Sequence, residues 1–325
     1  MGRNVYMPPR FVPYVKDYFQ EHRVEIVEGP QDTLEDLMAH SLNCDGIMVA
    51  LGPVCRQYMQ AAKHLKVAAK LGVGVDNIDC AAGEELGVWA AFAPQSNSVS
   101  VAEFTIAAIC NMSRKYSRFL NATFQNTWQD RLPELIGQEM EGKTIAVFGL
   151  GRIGAIVAKK AHFGLGMKVL GYDKYADPSQ LPEYIQQMDR VEDILPHADY
   201  VTIHTPLTDE TRGMFNTRLF SMMKPSSYFI NMARGPIVNE DDLYTALRDG
   251  VIAGASADAF CVEPPDLSNP LFSLPNFSPT PHKASHTLDA QRRMAEHAAM
   301  NIVAVLDGKE PVWPVNRPAH PRPLD

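Results

Sequence analysis

The sequence predicts an α/β protein built on two doubly wound parallel sheets. Three observations carry that reading. The chain has 325 residues, which at about 150 residues per domain leaves room for two. Short apolar runs alternate with helical patterns along its length, the order that parallel sheets require. One strand-turn-helix segment, TIAVFGLGRIG (144–154), has a glycine spacing typical of a backbone that must approach a ligand closely.

The elements follow in order. NVYM (4–7) reads as a strand. FVPYVKDYFQEH reads as a helix in which Pro13 must sit in the first turn, where its missing N–H costs nothing. VEIV (24–27) is a second strand, and TLEDLMAHSL follows with helical spacing. GIMVA (46–50), KVAAK (66–70) and VWAAF (88–92) complete a five-strand set. Residues 98–120 form one long helical stretch, which Ser98 or Ser100 can cap with Glu103 three residues after Ser100. It serves either as a core helix or as a connector between domains or subunits. The second alternation runs TIAVFGL, a helix from about Arg152, and KVLGYD, then YVTIH, SYFINMA, AGASADAF and FSPTP as strands. NEDDLYTALRDG is a helix with Asn239 as its cap, three acids where the helix dipole favours them, and Gly250 to end it. A last helix opens at Thr287 and stops near Gly308. A proline-rich surface segment or terminal strand follows.

Composition narrows the function classes. There are 30 basic and 38 acidic residues, so the formal charge is −8. That disfavours phosphate-backbone binding and polybasic attachment to anionic membranes. Hydrophobic residues at 46% and charged residues at 21% suit a folded globular chain. No uncharged apolar run approaches the roughly 18 residues of a membrane span, and MGRNVYMPPR lacks the apolar core of a secretion signal. Five cysteines, widely spaced and without a CxxC or Cys/His cluster, point to a reducing cytoplasm and away from a structural metal site.

The glycine segment has a definite mechanics. Gly149 can make the tight turn, Gly151 admits a pyrophosphate, and Gly154 lets helix and strand pack. Arg152 can add a charge contact at the helix N-terminus. Asp173 ends the next strand, 19 residues after Gly154, where a carboxylate accepts an adenosine 2′-hydroxyl and repels a 2′-phosphate. NAD is therefore expected over NADP, although Lys174 beside it lessens the discrimination.

Three polar residues interrupt apolar strand ends: Arg234 after YFINMA, Glu263 after ASADAF, and His282 after a short strand and Pro281. Ligands gather at the carboxyl ends of such strands. A guanidinium can grip a planar carboxylate and a neighbouring oxo group. An imidazole can exchange a proton near neutral pH, and a carboxylate can orient it. Each also has a plain alternative: a surface ion pair, a turn residue before Pro264-Pro265, a structural histidine. His286 is a rival acid/base.

These segments carry a resemblance. LKVAAKLGVGVDNID (65–79), NSVSVAE (97–103), GKTIAVFGLGRIG (142–154), INMARGPIVNEDDL (230–243) and DAFCVEPP (258–265) resemble, in order, the signatures of the D-isomer-specific 2-hydroxyacid dehydrogenases, a family that includes phosphoglycerate, glyoxylate/hydroxypyruvate and D-lactate dehydrogenases. The resemblance implies a flavodoxin-like substrate domain, residues 1–98 with 288–325, and an inserted Rossmann NAD-binding domain, residues 99–287. It implies that Arg234 binds substrate, that His282 is the acid/base and Glu263 its partner, and that backbone N–H groups around Val73, Gly74 and Val75 hold the substrate carboxylate. It implies NAD contacts from Arg152, Ile153, Asp173, Thr205, Pro206, Thr211, Ala233 and Asp258, with Val101 near the nicotinamide. It further implies a homodimer formed through the nucleotide domain, residues 98–120 contributing, with neither metal nor nucleic acid nor membrane as partner.

The expected reaction is reversible hydride transfer between NAD(H) and a small D-2-hydroxy acid or 2-oxo acid. Two readings compete on the same fold: an NAD-sensing protein of the corepressor type, and a dehydrogenase of phosphite. Two departures from the family pattern matter. Lys283 follows His282, where a small or apolar residue is usual. Ala50-Leu51-Gly52-Pro53 stand where phosphoglycerate dehydrogenases often carry an arginine for the substrate phosphate, and Arg56 is the nearest base. This lowers 3-phosphoglycerate as the substrate. Because the substrates are anions and the chain is negative, attraction must come from a local site of Arg234, helix N-termini and Lys283.

Overall fold

The protein was studied as a computed structural model that describes residues 3–30, 33–125 and 135–324. The chain divides into two compact units, Met1–Asn97 with His286–Asp325, and Ser98–Ser285.

The first unit holds strands β1 (Arg3–Met7), β2 (Val24–Glu28), β3 (Gly46–Val49), β4 (Val67–Lys70) and β5 (Trp89–Ala91), all parallel, in the order β2-β1-β3-β4-β5. The order reverses direction at β1, as in flavodoxin-like sheets. Side chains alternate across the sheet. Val5, Met7, Met48, Val67 and Ala69 face helices α1 (Val12–Glu21) and α10 (Leu288–Leu306), the latter contributing Ala290, Met294, Ala295, Ala298, Ala299 and Ile302. Tyr6, Ile47, Val49 and Ala68 point the other way, against α2 (Leu34–His40), α3 (Arg56–Ala61) and α4 (Cys80–Leu86). With both faces covered, the strands read as continuous apolar runs. Pro13 lies in the first turn of α1 as expected.

The carboxyl-terminal segment returns to this unit by specific bonds. Val315 N donates to Ala90 O at 2.8 Å. Asn316 is 3% exposed; its Oδ1 accepts from Ala90 N and its Nδ2 donates to Val88 O. The Arg322 guanidinium donates to the carbonyls of Met59, Ala62, Leu65 and Leu86, at and beyond the carboxyl ends of α3 and α4.

The second unit contains α5 (Ser98–Arg114), α6 (Tyr116–Phe124), β6 (Thr144–Phe148), α7 (Arg152–Leu165), β7 (Lys168–Tyr172), β8 (Ile185–Gln187), β9 (Tyr200–Ile203), α8 (Thr217–Phe220), β10 (Tyr228–Asn231), α9 (Glu240–Arg248), β11 (Gly254–Ala257) and β12 (Phe277–Pro279). Its seven parallel strands run β12-β11-β10-β9-β6-β7-β8. That is the Rossmann order with one added edge strand, and its switch point lies between β6 and β9. The core on one face packs α5 and α7, through Ile109, Val157, Ala158 and Ala161, onto Ile145, Val147 and Ile230. The other face packs Leu243, Ala246 and Leu247 of α9 onto Phe148, Val201 and Phe229. Asn239 Oδ1 caps α9 by accepting from Asp241 N and Asp242 N, and Thr287 Oγ1 caps α10 by accepting from Ala290 N.

Several expectations are corrected. The single helix over 98–120 is two helices, because Lys115 adopts a left-handed φ of 55° between α5 and α6. Ser100 does not cap: the helix already includes Ser98, and Glu103 reaches Lys160 at 3.0 Å. AGASADAF is strand only over Gly254–Ala257, because the following residues turn to form the site. Helices α3, α4 and α8 and strand β8 were not anticipated. Among the described residues no helix is long and apolar enough to cross a membrane.

Candidate active site

The glycine segment joins β6 to α7. Gly149 has φ 88°, and a Cβ there would lie 2.8 Å from the His204–Thr205 backbone of the adjoining strand end. A Cβ on Gly154 would lie 1.9 Å from Gly149 O. Both positions therefore need glycine for chain geometry alone. Gly151 is different, since a Cβ there meets nothing within 4 Å, and it precedes the first turn of a 14-residue helix whose dipole favours anions. Arg152 is exposed at that first turn, with Ile153 half-buried beside it.

Asp173 follows β7. Its Oδ2 accepts from Leu150 N at 2.8 Å and its Oδ1 from Tyr175 N at 2.9 Å, so the carboxylate is oriented by the glycine segment itself. Lys174 pairs with Glu210 at 2.8 Å, which engages the charge expected to blunt discrimination at Asp173. Just beyond β9, Thr205 Oγ1 is enclosed without a hydrogen-bond partner among the described residues. An enclosed orphan hydroxyl and the open space at Gly151 both fit a bound dinucleotide. Beside it, Thr211 Oγ1 donates to Pro206 O at 2.7 Å and closes the 206–211 loop on itself. Val101 is buried, packed into the core that α5 shares with α7. Burial pushes the neighbouring His204 down to about 3, so its ring is neutral, in contact with Thr202 Oγ1 at 3.0 Å.

The sheet topology gathers the other group. Strands β10, β11 and β12 are neighbours, with Asn231 beside Ala257 and Ala257 beside Pro279. Arg234, Glu263 and His282 lie three, six and three residues beyond these ends. Asn231 shapes the first turn: its Oδ1 accepts from Ala233 N and its Nδ2 donates to Arg234 O. Gly235 packs directly on the turn that leads to Glu263, since a Cβ there would lie 2.0 Å from Phe260 C. Glu263 Oε1 accepts from Phe260 N at 2.9 Å, and its Oε2 lies 2.6 Å from His282 Nδ1. Burial pushes the Glu263 carboxyl up. The hydrogen bonds from His282 and Phe260 N and the charges of His282 and Arg234 outweigh it, and the group sits below the ordinary glutamate range.

His282 occupies left-handed backbone, φ 52°, an unfavourable conformation for a residue with a Cβ. Asp258 brackets it. This carboxylate is 2% exposed and accepts from Thr280 Oγ1 at 2.6 Å, Lys283 N at 2.9 Å and Ala284 N at 2.7 Å. All three of these bonds run to the loop that carries His282. That bracketing role was not visible in the sequence, where DAF marks only a strand end. His286 belongs to the first unit, its Nδ1 3.4 Å from Gln291 Nε2, and Lys283 is exposed.

Val73, Gly74 and Val75 belong to the first unit, in the loop after β4. Lys70, 7% exposed, donates to Ala50 O and to Asn77 Oδ1, and Asn77 Nδ2 donates to Gly52 O. The segments 50–52 and 72–77 are thus stapled together. A lone lysine ending the apolar run VAAK was the available signal. Arg56 forms an exposed pair with Glu85 at 2.7 Å.

Residues 106–284 match the family described as D-isomer specific 2-hydroxyacid dehydrogenase, NAD binding domain. A D-3-phosphoglycerate dehydrogenase of Methanocaldococcus jannaschii is 36% identical over 302 residues, 92% of this chain and 56% of the relative. The chain thus spans somewhat more than half the length of the curated relatives it matches. An NAD-complexed D-isomer specific 2-hydroxyacid dehydrogenase from Lactobacillus delbrueckii ssp. bulgaricus superposes with TM-score 0.78 at 27% identity, covering 96% of this chain and 100% of that one. An NADPH-dependent glyoxylate/hydroxypyruvate reductase from Sinorhizobium meliloti gives 0.83 at 26% identity, covering 99% of each.

Proposed function

The chain belongs to the D-isomer-specific 2-hydroxyacid dehydrogenase family, and from that premise we propose that it catalyses reversible hydride transfer between NAD(H) and a small D-2-hydroxy acid or 2-oxo acid. The observation that carries the proposal is the 2.6 Å contact between His282 Nδ1 and Glu263 Oε2, in a loop group that also holds Arg234. When bound, the nicotinamide supplies or accepts the hydride. His282, with Nδ1 committed to Glu263, has Nε2 for the substrate oxygen and delivers or removes its proton there. Glu263 stabilises the imidazolium and fixes the ring. Arg234 grips the carboxylate and polarises the oxo group with its planar fork. The backbone N–H groups of Val73, Gly74 and Val75 are assigned, on the family resemblance, to binding the substrate carboxylate. Gly149, Gly151, Arg152, Ile153, Gly154, Asp173, Thr205, Pro206, Thr211, Ala233 and Asp258 would hold the dinucleotide, with Val101 near its nicotinamide. Asp173 makes NAD the cofactor, because its charge repels a 2′-phosphate.

The substrate side favours a 2-oxo acid without a phosphate. Ala50, Leu51 and Gly52 carry no cationic side chain, the Lys70 ammonium beside them is engaged by Ala50 O and Asn77 Oδ1, and Arg56 is paired with Glu85. The homodimer belongs to the same proposal. Helix α6 exposes Tyr116 at 68% and Phe124 at 81%, with Phe119 and Leu120 also exposed, an apolar face suited to a second copy. Cytoplasmic residence is supported by five free thiols. The test is loss of 340 nm absorbance with NADH across glyoxylate, hydroxypyruvate, pyruvate, branched 2-oxo acids and 3-phosphohydroxypyruvate. Turnover on the members without a phosphate is expected. Tight NADH binding without turnover on any member overturns the enzyme reading in favour of a sensor.

A further inference from the structure

Glu240 opens α9, six residues beyond Arg234, and with Asp241 and Asp242 it has an ordinary reason to be acidic: the helix dipole. Its carboxylate does something else. Oε1 accepts from Cys261 N at 2.6 Å, and Oε2 accepts from Asn269 Nδ2 at 3.1 Å. Asn269 in turn caps the short helical turn that follows, its Oδ1 accepting from Leu271 N. One carboxylate thus closes the 261–269 loop at both ends.

That loop carries Glu263. Two successive amides set its first turn: Phe260 N donates to Glu263 Oε1, and Cys261 N donates to Glu240 Oε1. The peptide between them is pressed on its other side by Gly235, where no side chain fits. The Phe260–Cys261 peptide, held by Glu240, and the Ala259–Phe260 peptide, whose N–H orients Glu263, share Phe260 Cα, so a shift of the first displaces the second and loosens the Glu263 contact to His282. The 232–240 segment therefore positions both Arg234, directly, and Glu263, through this peptide.

We infer that Glu240 is a positioning residue for the reaction, holding the 260–263 turn so that Glu263 meets His282 in register with Arg234. The inference rests on the proposed roles of His282 and Glu263. It differs from a helix-dipole role, which any acid at this position would fill. The charged groups bearing on Glu263 are His282 and Arg234. Those bearing on the Cys261 end of the turn are Glu240, Asp241 and Arg212.

The test compares Glu240→Gln, Glu240→Asp and Glu240→Ala in the full chain, reading kcat, NADH affinity, Tm and the pH profile of 2-oxo acid reduction. Glutamine keeps an oxygen for Cys261 N and should stay close to the parent. Aspartate keeps the negative charge in the helix but withdraws it by one methylene, and should lose about tenfold in kcat. Its high-pH limb should move to lower pH, because a Glu263 carboxylate displaced from His282 no longer stabilises the protonated ring. NADH affinity should hold within about twofold. If Glu240→Ala does not fold, the aspartate variant alone decides. Unchanged kcat and pH limb in Glu240→Asp overturn the inference, and so does loss of Tm with neither kinetic change. Glu263→Gln is the control: if it leaves the high-pH limb in place, the error lies in the His282–Glu263 pairing and not in Glu240.

Discussion

His282 Nδ1 and Glu263 Oε2 lie 2.6 Å apart although nineteen residues of chain separate them. The contact exists because β11 and β12 are neighbours and each ends in a loop held from behind: the Glu263 turn by Phe260 N and Glu240, the His282 turn by Asp258. The imidazole is thereby oriented through one nitrogen, which leaves the other for chemistry.

The first prediction follows from that orientation. His282→Gln should lower kcat by roughly 10²–10⁴, the span of a positioned acid/base, with NADH binding nearly intact by fluorescence titration. His286→Gln should keep most activity, since its Nδ1 is near Gln291 and not Glu263. The reverse ranking in turnover assays would move the role to His286.

Arg234→Lys keeps the charge and removes the fork. A lysine cannot bind a carboxylate in two parallel bonds. We expect kcat/KM for the 2-oxo acid to fall by about 100-fold, equivalent to about 2.7 kcal/mol. Near-parental kcat/KM would show that Arg234 acts only as a charge.

Asp173→Ser removes the carboxylate that Leu150 N and Tyr175 N hold in place. NADPH should then become usable, with its kcat/KM rising at least about tenfold relative to NADH. An unchanged NADH/NADPH ratio would place discrimination elsewhere in the loop.

His204 bears on acid stability. Its folded pKa, about 3, is below its ordinary value of 6.5, so the unfolded chain takes up the proton first. Stability is unaffected by this group above pH 6.5 and falls as pH drops from there toward 3. His204→Gln should lose less stability than the parent between pH 7 and pH 5 in urea titrations. Parallel loss in both would show that other groups govern the acid limb.

Arg322→Ala should lower the Tm of the first unit by about 5 °C, from loss of charged hydrogen bonds to four carbonyls. Differential scanning calorimetry reads it, and a shift under 1 °C would mean that the bonds of Val315 and Asn316 suffice to hold the tail.

Sequence legibility followed the range of the interactions. Asn239, Thr287 and Pro13 act on residues within one turn, so a local pattern suffices to place them. The glycine segment is also local, and its three positions have separable steric reasons. By contrast, the break at Lys115 carries no glycine or proline and was read as continuous helix. Helices α3 and α4 are six and seven residues long, too short to show a period. Arg234, Glu263 and His282 were visible as polar interruptions of apolar strands. Asp258 and Glu240 were not visible in their bracketing roles, because their partners lie more than twenty residues away and only strand order brings them together.

The core contributed by α10 has a consequence for how the chain is made. One face of the β1–β5 sheet is covered by Ala290, Met294, Ala298 and Ile302, which a ribosome adds roughly 200 residues after β5. At about 5–20 residues per second, that face waits on the order of 10–40 s for its cover, while the whole of 98–285 emerges. The unit that comes first in the sequence is therefore the last able to close. Until then that face has α1 but not α10 packed against it.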